Sequence, residues 1–315
     1  MTVAQIHDDP IKTSRPVPWG GVIARVRASE KARRFVPTEL ALIGTDLLSH
    51  VRLMMNSRRR AVARSGMDAV VGGTTADDAT VAPARVNRLA RRQIAAQARG
   101  WELTFRPWEL AATPVEDLER LDSARATGRG VLISYSHLGP FMALVPLAEH
   151  CRPLYTAFGE WLLESPRPGY NGYQLEQRRK VLADAGFEML RAQNSARRLI
   201  TLLKSEETVL LALDLPGRTS TQFLGKPVDM TDGTARLASM TDSLIVPVAV
   251  LPRGRKWYIH VDEAVDPRDY ASTTDLHQTL ATIHERLIMR APDHLENPLR
   301  DGGWARATRD GWHVT

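Results

Sequence analysis

Gly130-Val131-Leu132-Ile133-Ser134-Tyr135-Ser136-His137-Leu138-Gly139-Pro140-Phe141-Met142 decides how the rest of this 315-residue chain is read. An apolar, β-branched run stops at a histidine, and Gly-Pro follows at once. That is the pattern of a buried parallel strand delivering one polar side chain to its carboxyl end, where open α/β sheets place their chemistry. Imidazole titrates near neutral pH and is the side chain best suited to take a proton there. A hydrogen-bonded structural histidine gives the same local pattern, so its surroundings must separate the two.

Outward from this stretch, strands are expected at 131–136, 153–158, 208–214, 244–251 and 256–262, with a short one near 187–190. Helical spacing lies between them at about 141–151, 173–186, 194–204, 232–242 and 273–290. Pro114 to Ala126 reads as a further helix, with Thr113 as its N-cap. Strands separated by helices give an α/β fold with a mainly parallel central sheet, flanked by helices and joined by right-handed crossovers. An Arg-rich helical amino-terminal extension precedes it.

That extension carries most of the charge. The first 100 residues hold 15 Arg and 2 Lys against 8 acidic residues, while the whole chain is only +6. Residues 1–20 read as a loose arm, 21–112 as a basic helical region packed on the core, and 113–315 as the α/β core. Pro37 to Met55 has helical spacing with apolar residues at 40, 43, 47, 48 and 51. Arg58, Arg59, Arg60 and Arg64 continue it, Val70 to Pro83 reads as a loop, and Arg85, Arg88, Arg91, Arg92 and Arg99 recur at helical intervals. A cationic third on a slightly acidic body points to an anionic partner at that end: phospholipid headgroups, the phosphates of an activated carrier, or RNA.

Hydrophobic content of 43% and charged content of 25% are ordinary for a globular protein. Cys151 is the single cysteine and cannot form an internal disulfide, which fits a reducing compartment, and a cytoplasmic location is expected. No run approaches the ~18 apolar residues of a membrane span, and the start, with Asp8, Asp9 and Lys12, is expected to be neither signal peptide nor anchor. No His/Cys cluster has zinc spacing, so no metal is expected. The phosphate loop, the dinucleotide glycine fingerprint and the Gly-x-Ser-x-Gly elbow are all absent.

Several motifs recur together. His137 ends an apolar strand, and Thr208 to Arg218 reads as a second strand ending in Asp214 with Gly217 after it. Phe223-Leu224-Gly225-Lys226-Pro227 leads to Thr231-Asp232-Gly233-Thr234-Ala235-Arg236-Leu237-Ala238, then to the strand Leu244–Val250 and a closing Ile288–His294 segment. Over about residues 85–300 this resembles the glycerolipid acyltransferase superfamily, in particular its lipid A (lauroyl/myristoyl) and phosphatidylinositol mannoside acyltransferase branch. The Phe-Leu-Gly-Lys-Pro to Leu-Ala block is the most specific part. Three features depart from the branch. Met142 stands where an Asp or Glu follows the histidine by five positions, Leu215 replaces a Gln, and the closing Trp-Leu-His-Arg-Arg is missing.

The resemblance implies transfer of an activated acyl group, from acyl-CoA or acyl carrier protein as co-substrate and with no other cofactor, to a hydroxyl or amine in a direct ternary complex. It makes His137 the general base. With Met142 unable to orient the imidazole, Asp214 is the preferred substitute carboxylate, its alternative being a cap on the Pro216-Gly217 turn. Tyr135, on the same strand face as His137, and Glu160, Arg218, Thr231, Gly233 and Thr234 are candidate substrate-binding residues. Simple N-capping competes for the last three. Arg58, Arg59, Arg60, Arg88, Arg91 and Arg92 are expected to dock a phosphate-bearing donor. Two other readings stand beside this one. In the first, aminoacyl-tRNA is the donor and a small amine or hydroxylamine-type metabolite of specialised metabolism the acceptor. In the second, a non-catalytic protein on the same fold binds a lipid or a carrier. Peripheral membrane contact is compatible with the basic end.

Overall fold

The structure is a computed structural model that describes residues 30–72, 82–159, 163 and 170–296. The expected arm at 1–20, most of the expected loop after Val70, and Glu160 lie outside them. Residues Val131–Tyr135 are buried on both faces, which requires a strand on each edge and cover above and below. The strands are β1 Val115–Glu116, β2 Val131–Tyr135, β3 Leu154–Phe158, β4 Phe187–Arg191, β5 Thr208–Ala212, β6 Pro216–Phe223, β7 Lys226–Met230, β8 Leu244–Arg253 and β9 Lys256–Val261. Seven of them form one sheet in the order β1-β9-β8-β2-β5-β3-β4. Its neighbours run parallel, except that β8 and β9 form an antiparallel hairpin. β2 is central, with Val131 opposite Thr208 of β5 and Leu244 of β8.

Side-chain alternation divides the core into two layers. Leu132 packs with Val209, Ile245 and the inward residues of helices Ala196–Lys204 and Thr273–Arg290. Val131, Ile133 and Tyr135 pack on the other face with Met142, Leu147, Leu154 and Leu182. The first layer also takes in Leu53, Met67, Val86 and Ile94, so the helices Thr38–Met55, Ser57–Val71 and Pro83–Thr104 share a core with the sheet. Arg106, 2% exposed, ties the chain near their start by donating to the carbonyls of Arg33 and Val36.

Each expected strand is present, and four helices fall where the spacing put them. The expected helix at 141–151 divides into a 3-10 turn, Phe141–Leu144, and an α-helix, Val145–His150, with Pro146 in its first turn. Pro114 to Ala126 is not one helix. Val115–Glu116 pairs with β9 as an edge strand, and the helix runs only over Leu118–Arg125, so Thr113 is not its cap. The hairpin β6–β7 was not expected as strands. Its turn places Leu224 (φ 53°) and Gly225 (φ 71°) in the left-handed region that two-residue hairpin turns demand.

The helix Thr38–Met55 is turned contrary to its composition. Thr45 and Ser49 are buried with Leu42 and Leu53, while Leu40 (61%), Leu47 (66%) and Met54 (66%) face outward in one stripe with Ile43 and Val51. Among the described residues no helix is long and apolar enough to cross a membrane.

Candidate active site

β2 and β5 are parallel neighbours, so their carboxyl ends open on the same sheet edge, and each chain leaves its strand there with one ionisable residue. Leu213 N–H donates to the Tyr135 carbonyl at 2.8 Å, continuing the ladder for one step past β5. The next residue, Asp214, is fully buried and faces His137. Its Oδ1 lies 2.7 Å from His137 Nδ1, and its Oδ2 accepts the His137 backbone N–H at 2.8 Å. Both oxygens are therefore engaged by one residue, which fixes loop and ring together. With Nδ1 held by a carboxylate oxygen, Nε2 is the ring nitrogen without a partner among the described residues. The imidazole side chain is 20% exposed.

Burial disfavours the imidazolium, but the charge and hydrogen bond of Asp214, with Glu296 adding to them, outweigh it and hold the His137 pKa above its usual value. The turn after His137 needs Gly139. Its φ is +70°, and a Cβ there would sit 2.6 Å from the Val250 carbonyl oxygen. The Tyr135 ring lies 5.5 Å from the imidazole and 5.3 Å from Phe141. Tyr135 is only 7% exposed, so it walls the histidine rather than opening to solvent, and burial pushes its phenol pKa up.

Met142 points into the core, 1% exposed among the apolar side chains under the sheet. Thr231 accepts the Gly233 N–H at 3.3 Å in the turn before the helix Gly233–Thr241, whose N-cap, Asp232, makes no side-chain cap bond, and Thr234 is buried. The same turn abuts the strand-end turn of Asp214. Thr231 N–H donates to the Leu215 carbonyl, and a Cβ on Gly217 would lie 2.2 Å from Thr231 N. Arg218 is exposed on β6.

The six arginines lie on two packed helices, Ser57–Val71 and Pro83–Thr104, and all are exposed. Arg60 donates to the carbonyls of Leu53 and Met54, Arg91 to that of Asn87, and Arg92 pairs with Asp293 at 3.3 Å. Arg58, Arg59 and Arg88 hold no ion pair among the described residues. A cleft between the helices is lined by Arg60, Arg64, Asp68 and Asn87. Two residues that the sequence did not mark also stand at the site. Glu296 and Arg178 act electrostatically on it from the carboxyl-terminal segment and the helix Tyr170–Ala185, far from His137 in sequence and without a motif of their own.

The mainly parallel α/β sheet thus presents a histidine at the end of its central strand, and the family that the chain matches makes it an acyltransferase. The bacterial lipid A biosynthesis acyltransferase family matches residues 34–295, and the chain belongs to that family. Among solved structures it is similar to the 1-acyl-sn-glycerophosphate acyltransferase PlsC of Thermotoga maritima. The two share 17% identity over 81% of this chain and 97% of that one, with a TM-score of 0.39. No curated protein matches it.

Proposed function

We propose that this acyltransferase moves an acyl group from an acyl-CoA or acyl carrier protein thioester directly to a hydroxyl or amine, with His137 as general base and Asp214 as the group that orients it. The supporting observation is the 2.7 Å contact between His137 Nδ1 and Asp214 Oδ1, which supplies by a strand-end route the carboxylate that Met142 does not. Nε2 takes the acceptor proton as the acceptor attacks the carbonyl, and the imidazolium returns it to the departing thiolate. Asp214 stabilises the imidazolium and fixes the tautomer, the role of the third member of a hydrolase triad. A paired dyad at a strand end counts against the non-catalytic reading.

Asp214→Asn is expected to lower kcat by about 10²- to 10⁴-fold, because an amide allows the wrong tautomer. The pH profile gives a second, independent readout. The free base exists only above the pKa of His137, which Asp214 holds up, so activity should fall on the acid side of a limb above the ordinary histidine value. In Asp214→Asn that limb should move to lower pH. A limb that stays in place would show that another group titrates.

Aminoacyl-tRNA remains a second donor class, favoured by the exposed cations Arg58, Arg59 and Arg88. Replacing these three by Gln and titrating tRNA and acyl-CoA at several salt concentrations separates the classes. A tRNA donor predicts weaker tRNA binding with a salt slope shallower by about one for each phosphate no longer neutralised. Unchanged affinity for both donors would remove the patch from docking altogether.

A further inference from the structure

The segment Pro292–Glu296 is stitched along the loop that carries His137. Gly139 N–H donates to the His294 carbonyl at 2.7 Å, Leu138 bridges Leu295 in antiparallel fashion, and Glu296 N–H donates to the His137 carbonyl at 2.7 Å. From the helix Pro83–Thr104, Gln97 Nε2 donates to the Glu296 carbonyl. These bonds fix where Glu296 starts. From there the charge of its carboxylate bears on the His137 imidazole and on Asp214. The chain also leaves its family's pattern here, where the Trp-Leu-His-Arg-Arg ending is missing.

Among the described residues nothing pairs with this carboxylate. Arg178 supplies a countercharge without an ion pair among the described residues: its guanidinium lies 3.5 Å over the Trp101 ring, and its buried Nε has no hydrogen-bond partner. Glu296 is half-buried, and a carboxylate partly withdrawn from water with no donor among the described residues is a place where a cationic ligand gains a charged hydrogen bond. Asp214 cannot take that ligand, since both its oxygens are held by His137 and it is fully buried.

We propose that Glu296 is a subsite for a primary ammonium group of the substrate, set beside His137. The proposal rests on the acyl-transfer reading above. An ammonium acceptor also explains why two proton acceptors stand together. A hydroxyl sheds one proton on attack and an ammonium sheds two. As the N–C bond forms and the C–S bond breaks, His137 takes one proton to the departing thiolate, and Glu296 takes the other and releases it to water. If the ammonium is instead on the acyl group, it keeps its charge and Glu296 aims the neighbouring carbonyl at the acceptor. Burial, the main influence on Glu296, raises its pKa, which suits it to accept a proton; where the ammonium keeps its charge, the cation itself favours the ionised carboxylate.

The test compares three substrate pairs in the full chain: propionyl-CoA with propanol, propionyl-CoA with propylamine, and alanyl-CoA with propanol. Glu296→Gln should lower kcat/KM about 10- to 100-fold more for one ammonium-bearing pair than for the first pair, the range for a lost charged hydrogen bond. Glu296→Asp should recover part of it. The affected pair tells whether acceptor or donor carries the ammonium. Equal losses on all three pairs would overturn the proposal. A binding readout needs no turnover: the Trp101 indole N–H resonance should respond to propylammonium chloride beyond sodium chloride, and folded Glu296→Gln should lose that response. A wild type without it overturns the proposal as well. His137→Ala that binds propylammonium yet turns over nothing, or a His137→Ala variant that keeps full activity, tells the fate of the base assignment apart from that of Glu296.

Discussion

His137→Ala is expected to lower turnover by about 10²- to 10⁴-fold while the protein still folds, the usual contribution of a positioned proton acceptor. The backbone N–H that holds Asp214 Oδ2 survives the change, so one of the two latches remains. What is lost is the bond from Nδ1 to Oδ1, and Asp214 then keeps a buried oxygen without its donor. That costs about 1–3 kcal/mol, less than most domains carry in reserve. Circular dichroism and urea unfolding on the same preparation separate a folded inactive variant from a collapsed one. Near-full activity in a folded His137→Ala protein would refute the base assignment.

Met142→Glu should fail to restore the family's acid and should instead destabilise the fold by several kcal/mol. The side chain is 1% exposed in the layer formed by Ile133, Tyr135, Leu147 and Leu154, with the imidazole already satisfied by Asp214. A carboxylate there finds no partner and titrates high to stay neutral. A folded-state pKa raised above the unfolded value of about 4.3 means that stability is retained below that pH and lost as pH rises through the raised pKa. Urea midpoints for variant and wild type should therefore converge near pH 4 and separate by pH 8. A variant as stable as wild type at pH 8, with activity kept or raised, would place residue 142 in the site after all.

How far the sequence could be read follows from what kind of signal each element carries. β2, β5 and β8 are apolar runs, and burial on both faces writes itself directly into composition. β6 and β7 carry little apolar alternation and owe their pairing to a left-handed Leu-Gly turn, which no periodicity announces. The helix Thr38–Met55 was legible as a helix, but not which way it faces, since its apolar stripe is the side turned outward. In the site, His137 and Asp214 were legible because strand ends of parallel neighbours converge. Thr231 and Gly233 were equally visible, and a hydrogen bond joins them in the turn before the helix Gly233–Thr241. Glu296 was not legible at all: it reaches the base through a bridge between Leu138 and Leu295, two residues that nothing in the sequence relates.

The position of β2 sets an order in time as well as in space. It lies mid-chain, yet its two sheet neighbours, β5 and β8, both come later, and the segment that clasps the His137 loop comes after all the strands. On the ribosome, β2 therefore emerges with both edges bare and waits first for Thr208–Ala212 and then for Leu244–Arg253. Arrest or truncation between them leaves an apolar strand open on one side, a template for pairing with another nascent chain. The wall of the site that holds Glu296 closes only after all nine of the named strands have been made.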